Sequence, residues 1–289
     1  MSSWPAVEPD GVPALVLAAG RGTRIAAVSA GRPKPLLEVA GRSLLEWNLR
    51  WLAAHGVGRV WINLHREADV IRAAITSGAH LGLHVRYSHE TTLLGTAGAW
   101  RRLRDEWSGT SLVVYGDNLM RFDVTGLLRV HRETGARLTV ALFDPARHVH
   151  TAAAGGFAHI EDGRVTAFRE GVPGGLPTPP DPSPSPTSIG CAALGSEFRV
   201  PSRLSLNPEP GTRNPELLIN TGVYALEPDV GTLIGAGYQD FGHDVLPWLA
   251  ERGELAAHII EPTGFCLGVD TPERYARAKA MVAGGAVAL

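Results

Sequence analysis

Cysteine is almost missing from this chain. Of its 289 residues only Cys191 and Cys266 are cysteines, and their separation matches no metal-ligand spacing. A cysteine-built metal centre is therefore not expected, and the scarcity points to a reducing compartment, the cytoplasm. Long apolar runs are missing too. None reaches the roughly 20 residues of a membrane span, so no membrane partner is expected. Charge of one sign is not in excess: 27 basic residues face 29 acidic ones, and the net charge of −2 argues against a nucleic-acid coat. Residues 1–13 contain no basic stretch leading into an apolar core, so they read as a flexible tail and not as a secretory leader. No internal repeat is visible. The length suffices for one large domain or two small ones with an ample core.

What is present is an alternation of strand and helix patterns. Residues 14–18 form an apolar run of strand character. It breaks into a small loop, Ala18-Ala19-Gly20-Arg21-Gly22-Thr23-Arg24, followed by Pro33-Lys34-Pro35. Gly20 and Gly22 tolerate backbone angles that let several N–H groups converge on one anion. Arg24 and Lys34 add fixed positive charge, as a triphosphate requires. Ser43 and Glu46 have capping-box spacing and open a helix that runs to about residue 55. Strands are expected over 59–64, 84–88 and 111–115, with helices over 67–75 and 96–107 between them. This βαβα order implies a parallel sheet with helices on both faces, binding ligands beyond the carboxyl ends of its strands. The glycine loop and Gly116-Asp117-Asn118 both lie at such ends.

The second half changes character. A strand is expected over 138–143, a hairpin over 156–170 around Asp162-Gly163, a strand over 217–224 and a closing helix over 272–283. Residues 172–186 are dense in proline, glycine and serine and cannot build a packed core. The expected organisation is a tail over 1–13, a first part over 14–143 and a second part over 144–289, which carries a proline-rich insertion over about 172–216. His148 and His150 are expected to share a strand face without forming a metal site. Trp47 and Trp51, four apart, are expected in a helix core and not as a base-stacking platform.

In order along the chain stand Leu17-Ala-Ala-Gly-Arg-Gly-Thr-Arg24, Pro33-Lys34-Pro35, Leu94-Gly-Thr-Ala-Gly98, Tyr115-Gly-Asp-Asn118, Phe168-Arg-Glu170, Asn220-Thr-Gly-Val-Tyr224 and Val269-Asp-Thr-Pro272. With these motifs the chain resembles the sugar-1-phosphate nucleotidylyltransferases, which make nucleotide-sugars. The likeness runs from Ala14 to about Met281. It implies a doubly wound, mixed and mainly parallel α/β sheet, Rossmann-like, with a smaller sugar-binding β region. It also implies attack of a sugar 1-phosphate oxygen on the α-phosphate of a nucleoside triphosphate, with release of pyrophosphate. Such chemistry asks for alignment and charge neutralisation, with Mg²⁺ bridging phosphate oxygens.

The resemblance assigns Ala18, Ala19, Gly20, Gly22, Thr23 and Arg24 to the triphosphate loop and Lys34 to the α-phosphate. Asp117 becomes a metal ligand. Gly95, Thr96 and Gly98 would lie against base and ribose, and Asn118, Gly156, Glu170 and Asn220 against the acceptor. Glu90 would either touch the base or be solvated. Two departures stand out. Where the family commonly has a lysine after the sugar glutamate, this chain has Gly171, which leaves Arg169, Arg199, Arg203 and Arg213 as candidate phosphate partners. Where the family has its last metal-binding aspartate, this chain has Gly268, with Asp270 two residues on. A two-residue shift along a strand keeps the same face, about 7 Å further on, so Asp270 would still reach the metal. The competing role is a cap for the last helix.

The 94–98 segment and the stretch from Thr23 to Ser29 look most like guanylyltransferases for mannose or heptose 1-phosphates, so GTP is slightly favoured. Uridylyl and thymidylyl transfer remain open. The alternatives are a cytidylyltransferase for a non-sugar phosphate or phosphonate and a non-catalytic nucleotide-sugar sensor. Partners are thus a nucleoside triphosphate and a sugar 1-phosphate, with a homo-oligomer possible and no nucleic acid.

Overall fold

A computed structural model describes residues 11–20, 22–151, 155–171 and 218–289. Arg21, Cys191, Arg199, Arg203, Arg213, the tail up to residue 10 and the proline-rich insertion lie outside the described residues.

In chain order the strands are β1 (Ala14–Leu17), β2 (Glu38–Val39), β3 (Arg42–Ser43), β4 (Arg59–Leu64), β5 (His84–His89), β6 (Ser111–Tyr115), β7 (Asn118–Arg121), β8 (Leu138–Phe143), β9 (Val149–His150), β10 (Gly156–Glu161), β11 (Arg164–Glu170), β12 (Leu218–Leu226), β13 (Leu255–Ile259) and β14 (Phe265–Gly268). The helices are α1 (Ala26–Ser29), α2 (Leu44–Ala54), α3 (Ala68–Ile75), α4 (Gly95–Arg102), α5 (Val124–Thr134), α6 (Leu246–Glu251) and α7 (Pro272–Ala283).

Nine strands form one sheet in the order β10-β11-β13-β8-β12-β6-β1-β4-β5. Along that order β11 and β12 are each antiparallel to both neighbours, and every other pairing is parallel. The sheet is therefore mixed, and strands from both sides of residue 143 hydrogen-bond within it. A smaller sheet, β7-β14-β9, stands beside the strand ends.

The central strand β1 shows why the sheet is covered on both faces. All four of its residues are apolar and buried, as expected of a strand with no solvated side. Ala14 and Val16 join one core with Leu45, Leu49 and Leu52 of α2, Ile71 and Ile75 of α3 and Leu127 of α5. Leu15 and Leu17 join the other core with Ala97 and Trp100 of α4 and Leu246 and Leu249 of α6. A third cluster, including Ile25, Leu119 and Leu267, ties the small sheet to the segment after the glycine loop.

Local signals set most boundaries. Ser43 caps α2 as its spacing predicts, its hydroxyl accepting from the Glu46 N–H at 3.1 Å. Asp162 and Gly163 turn the β10–β11 hairpin with φ of 49° and 77°, the left-handed pair a tight hairpin demands. Trp51 is buried and donates to the Phe122 carbonyl, and Trp47 donates to Val39, so neither is a base platform.

Three expectations need correction. The helix predicted over 96–107 stops at Arg102, because the chain doubles back to stack Trp107 on Trp100 at 6.0 Å. The Trp107 indole N–H then donates to the Trp100 carbonyl at 3.1 Å. His148 and His150 do not share a strand: β9 contains only His150, while the His148 ring turns inward to the backbone of Asp144 and Ile260. The strand β13, parallel to β8, has no counterpart in the sequence reading. No helix among the described residues is long and apolar enough to cross a membrane.

One buried polar network is pH-sensitive. His131 of α5 is 2% exposed, with Nδ1 2.8 Å from Thr139 Oγ1 and Nε2 3.0 Å from Glu227 Oε1. Burial pushes its pKa below 6.5, and Glu227 only partly opposes this. The folded imidazole stays neutral while the unfolded one takes up a proton below about pH 6.5, so stability falls on acidification through that value. The melting temperature should drop between about pH 7.5 and 6, and His131→Gln should flatten part of that slope. His258, also lowered by burial, contributes in the same direction. A variant with the wild-type slope, measured by thermal melts in matched buffers, would contradict this assignment.

Candidate active site

The site forms where β1 and β6 end side by side. Leu17 is in register with Tyr115, and Gly116 donates its N–H to the Leu17 carbonyl at 2.9 Å. A Cβ on Gly116 would lie 2.8 Å from that carbonyl, so only glycine lets the strand exit this closely. The glycine loop leaves β1 here. Its first residue is anchored by a buried relay: Ala18 N–H donates to Asn63 Oδ1 at 2.7 Å, and Asn63 Nδ2 donates to Glu90 Oε1 at 2.9 Å. Glu90 Oε2 in turn accepts from the Leu94 N–H at 3.0 Å. Glu90 is 1% exposed, so it is not solvated; it holds the loop before α4 to the loop after β1. Further along, Gly22 adopts φ of 59° and a Cβ there would sit 3.3 Å from Lys34 Cβ, bringing the glycine loop against the lysine.

Two charge clusters stand at the strand ends. Lys34, one of only two lysines in the chain, keeps its side chain 9% exposed and places Nζ 2.8 Å from Asp117 Oδ2. Asp270 lies between two arginines. Arg24 Nη1 is 3.0 Å from its Oδ2, and Arg274 Nη1 donates to both oxygens at 2.8 and 3.0 Å. Burial would raise the Asp270 carboxyl, but the Arg274 hydrogen bond and the charges of Lys34, Arg274 and Arg24 outweigh it and hold the pKa below the usual range.

Neither expectation for Asp270 survives intact. β14 ends at Gly268, so Asp270 is not a strand residue on the same face. The cap of α7 is Thr271, whose hydroxyl accepts from the Arg274 N–H. Asp270 instead turns back toward the strand ends. A Cβ on Gly268 would lie 3.5 Å from Asp270 Oδ1 and 3.8 Å from Asn118 Oδ1. Asn118 pairs with Gly268 across β7–β14.

Gly156 and Gly242 close around Glu170. Gly156 is its register partner across the hairpin. A Cβ on Gly156 or Gly242 would collide with its carboxylate. Glu170 Oε2 is buried with no hydrogen-bond partner among the described residues. Burial, then Asp240, push its pKa up, against an opposing pull from His243. Asn220 stands at an irregularity of β12, its Oδ1 accepting from Gly222 N–H at 2.8 Å and its Nδ2 donating to Tyr224 Oη at 2.7 Å.

Gly95, Thr96 and Gly98 pack against another stretch of the chain. The close approach they allow is taken by the backbone of residues 237–241. A Cβ on Gly95 would strike the Gln239 carbonyl, which accepts from the Ala97 and Gly98 N–H groups at 3.0 and 3.1 Å. Thr96 Oγ1 donates to Asp240 Oδ2 and accepts from the Phe241 N–H, both at 2.8 Å. Asn63, Asp240 and Arg274 are site components that the sequence reading missed. Only Arg274 carried a usable signal, its four-residue spacing from Asp270.

The oxygen-only donors of Asp117 and Asp270 suit a hard divalent cation, which characteristically takes one or two carboxylates and completes its shell with phosphate oxygens and water. Among the described residues no group of three or more His, Cys, Asp or Glu gathers as a metal site.

Comparison with known proteins follows the same lines. The chain is 26% identical over 253 residues to the UTP--glucose-1-phosphate uridylyltransferase of Synechocystis, covering 83% of this chain and 55% of that protein. It is 27% identical over 271 residues to the mannose-1-phosphate guanylyltransferase of Mycobacterium tuberculosis, covering 93% and 64%. It thus spans 55% and 64% of the length of these relatives. The fold matches the crystal structure of HddC from Yersinia pseudotuberculosis complexed with GMP-PN, with a TM-score of 0.66, 20% identity and coverage of 93% and 98%. A family model described as nucleotidyl transferase matches residues 13–266, from the strand before the glycine loop to β14. The chain therefore belongs to the nucleotidyl transferase family.

Proposed function

We propose that this chain joins a nucleoside triphosphate to a sugar 1-phosphate, releasing pyrophosphate, as a cytoplasmic step in nucleotide-sugar synthesis. The observation that carries the reading is the gathering of Lys34 and Asp117 at 2.8 Å beside the Arg24–Asp270–Arg274 cluster, next to the glycine loop. The names of the relatives support the reaction class and divide over the base, which includes uridylyl and guanylyl transfer. GTP is our first candidate on the strength of the 94–98 and 23–29 segments.

In the proposed step an acceptor phosphate oxygen forms a bond to the α-phosphorus while the bond to the β-phosphate oxygen breaks, its electron pair leaving with pyrophosphate. The attacking oxygen is already anionic, so no general base is required. Lys34 offsets the charge that develops on the α-phosphate. Arg24, whose side chain is 73% exposed, faces the leaving pyrophosphate. Arg274 adds a cation that stands near the same strand ends and is our candidate to share the work of the lysine missing at Gly171. Asp117 and Asp270 would hold Mg²⁺, which would supply charge neutralisation to the phosphates. Ala18, Ala19, Gly20, Gly22 and Thr23 line the triphosphate. Asn118, Gly156, Glu170 and Asn220 line the acceptor, the unpaired Glu170 Oε2 taking a sugar hydroxyl. That carboxylate favours a sugar over a non-sugar acceptor.

Pyrophosphate release tests the reading directly, with each common nucleoside triphosphate against a panel of sugar 1-phosphates. Release with one pairing is expected, and silence across the panel with nucleotide still bound would favour a sensor. Asp117→Asn should lower turnover by roughly a hundredfold or more while the melting temperature stays within a few degrees. Near-normal rates at saturating Mg²⁺ would remove Asp117 from the machinery. Glu170→Gln should raise the acceptor KM about tenfold with a smaller change in kcat. Because ionised Glu170 is disfavoured by burial, the same variant should melt no lower than wild type near pH 7.5. An unchanged KM for every acceptor would refute its contact with the sugar.

A further inference from the structure

An open cavity lies beside α4, lined in part by Leu94 and Gly98 of the 94–98 segment. Its volume is about 620 Å³, within the span typical of small-molecule sites. Its walls come from Trp61 of β4, from Gly98, Arg101 and Arg102 of α4, from Arg104 in the turn that follows, and from Gly237. The burial pattern of α4 explains how the arginines come to face it. Ala97 and Trp100 are turned into the core, which leaves Arg101 half-buried and Arg102 exposed at the cavity.

Cations outnumber carboxylates here: Arg101, Arg102 and Arg104 line the cavity with one acid, Asp105. Among the described residues neither Arg101 nor Arg102 forms an ion pair. Arg104 has only Asp105, at 3.7 Å with the acid 86% exposed, a pair that water screens to little effect. Arg86 adds a further cation, its guanidinium 5.8 Å from the Trp61 ring centre. Planar guanidiniums in this number match phosphate oxygens, and the half-buried indole supplies an apolar wall for the body that carries the phosphate.

We propose that this cavity binds a phosphorylated small molecule, its phosphate on Arg101, Arg102 and Arg104 and its ring against Trp61. The site is separate from the catalytic one, yet it shares a wall with the machinery. A Cβ on Gly98 would lie 2.9 Å from the Gly237 carbonyl, and two residues on Gln239 receives the Ala97 and Gly98 N–H bonds. Asp240 then holds Thr96. A ligand seated between α4 and Gly237 therefore tightens the contact that positions Thr96.

The probe is 1-naphthyl phosphate, which carries one ring and one phosphate and is neither a triphosphate nor a sugar phosphate. Its binding to the full chain is read by fluorescence titration, and amide hydrogen exchange is followed over residues 94–102. Saturable binding is expected, unchanged in Lys34→Ala and weakened at least tenfold in the Arg101→Gln/Arg102→Gln double variant. Trp61→Leu should also weaken it, while slower exchange over 94–102 should accompany binding to the wild type. No saturable binding, equal binding by the double variant, or loss of binding in Lys34→Ala overturns the site. Binding without any change in exchange overturns its link to α4. None of these readouts depends on turnover.

Discussion

Like-charge repulsion is the constraint around which the candidate site is organised. Arg24, Lys34 and Arg274 converge on a few strand ends, and a folded chain gathers cations this closely only if carboxylates stand between them. Asp117 and Asp270 do so, each within 3.0 Å of its partners. The pairs are not rigid clamps. Arg24 is largely exposed, so its bond to Asp270 is worth little on its own and is readily exchanged for a phosphate. Lys34 is the opposite case: its stem is buried, so its ammonium stays at the strand ends whatever it contacts. One mobile and one fixed cation are what the in-line displacement proposed above would use, the first following a leaving group and the second holding the reacting phosphorus.

The same logic extends to the seam between the parts of the chain before and after residue 143. No separate sheet divides them, because β12 lies between β6 and β8 and ties both into one surface. The seam is instead the 237–242 backbone, which receives the N-terminus of α4 through Gln239, fixes Thr96 through Asp240 and closes over Glu170 with Gly242. Glycines at 95, 98 and 242 are needed because backbone or carboxylate atoms occupy the space where a Cβ would be. A shift of that segment would move the loop before α4 and the wall of the acceptor pocket together.

Much of this was legible in the sequence, for identifiable reasons. Strand β1 and helix α2 announce themselves because periodicity and a capping pair are local properties, and α7 begins at its Thr-Pro for the same reason. The Lys34–Asp117 meeting was legible only through the motif order, since 83 residues separate the two. What stayed hidden was tertiary. Gly95-Thr96-Ala97-Gly98 looks the same whether its close neighbour is a nucleotide or Gln239. Glu90 looks like an ordinary surface acid until Asn63 and the Leu94 N–H are known to face it. β13 is short and follows a Gly-Glu turn, and its strand character comes from pairing with β8 more than from its own alternation. His148 misled because a two-residue spacing suggests a shared face only where a strand exists.

Gly268 stands where the resemblance expects an aspartate, and Asp270 fills the space it leaves. The missing side chain leaves room into which Asp270 Oδ1 reaches, 3.5 Å from where the Cβ would be. The carboxylate thus approaches the same region from beyond the end of β14 and not from within it. That approach has a structural cost. A carboxylate on an irregular segment is not oriented by a sheet, and burial alone would push its proton affinity up. Arg274, one helical turn into α7, supplies both the orientation and the charge, with two hydrogen bonds from one nitrogen. Asp270 and Arg274 therefore form a unit: without the arginine the acid would lose its orienting hydrogen bonds and the main influence that lowers its pKa, and without the acid the arginine would add to a cluster of cations. Gly268 is what gives the unit space, so the three positions are one solution to the problem of holding a carboxylate at the strand ends.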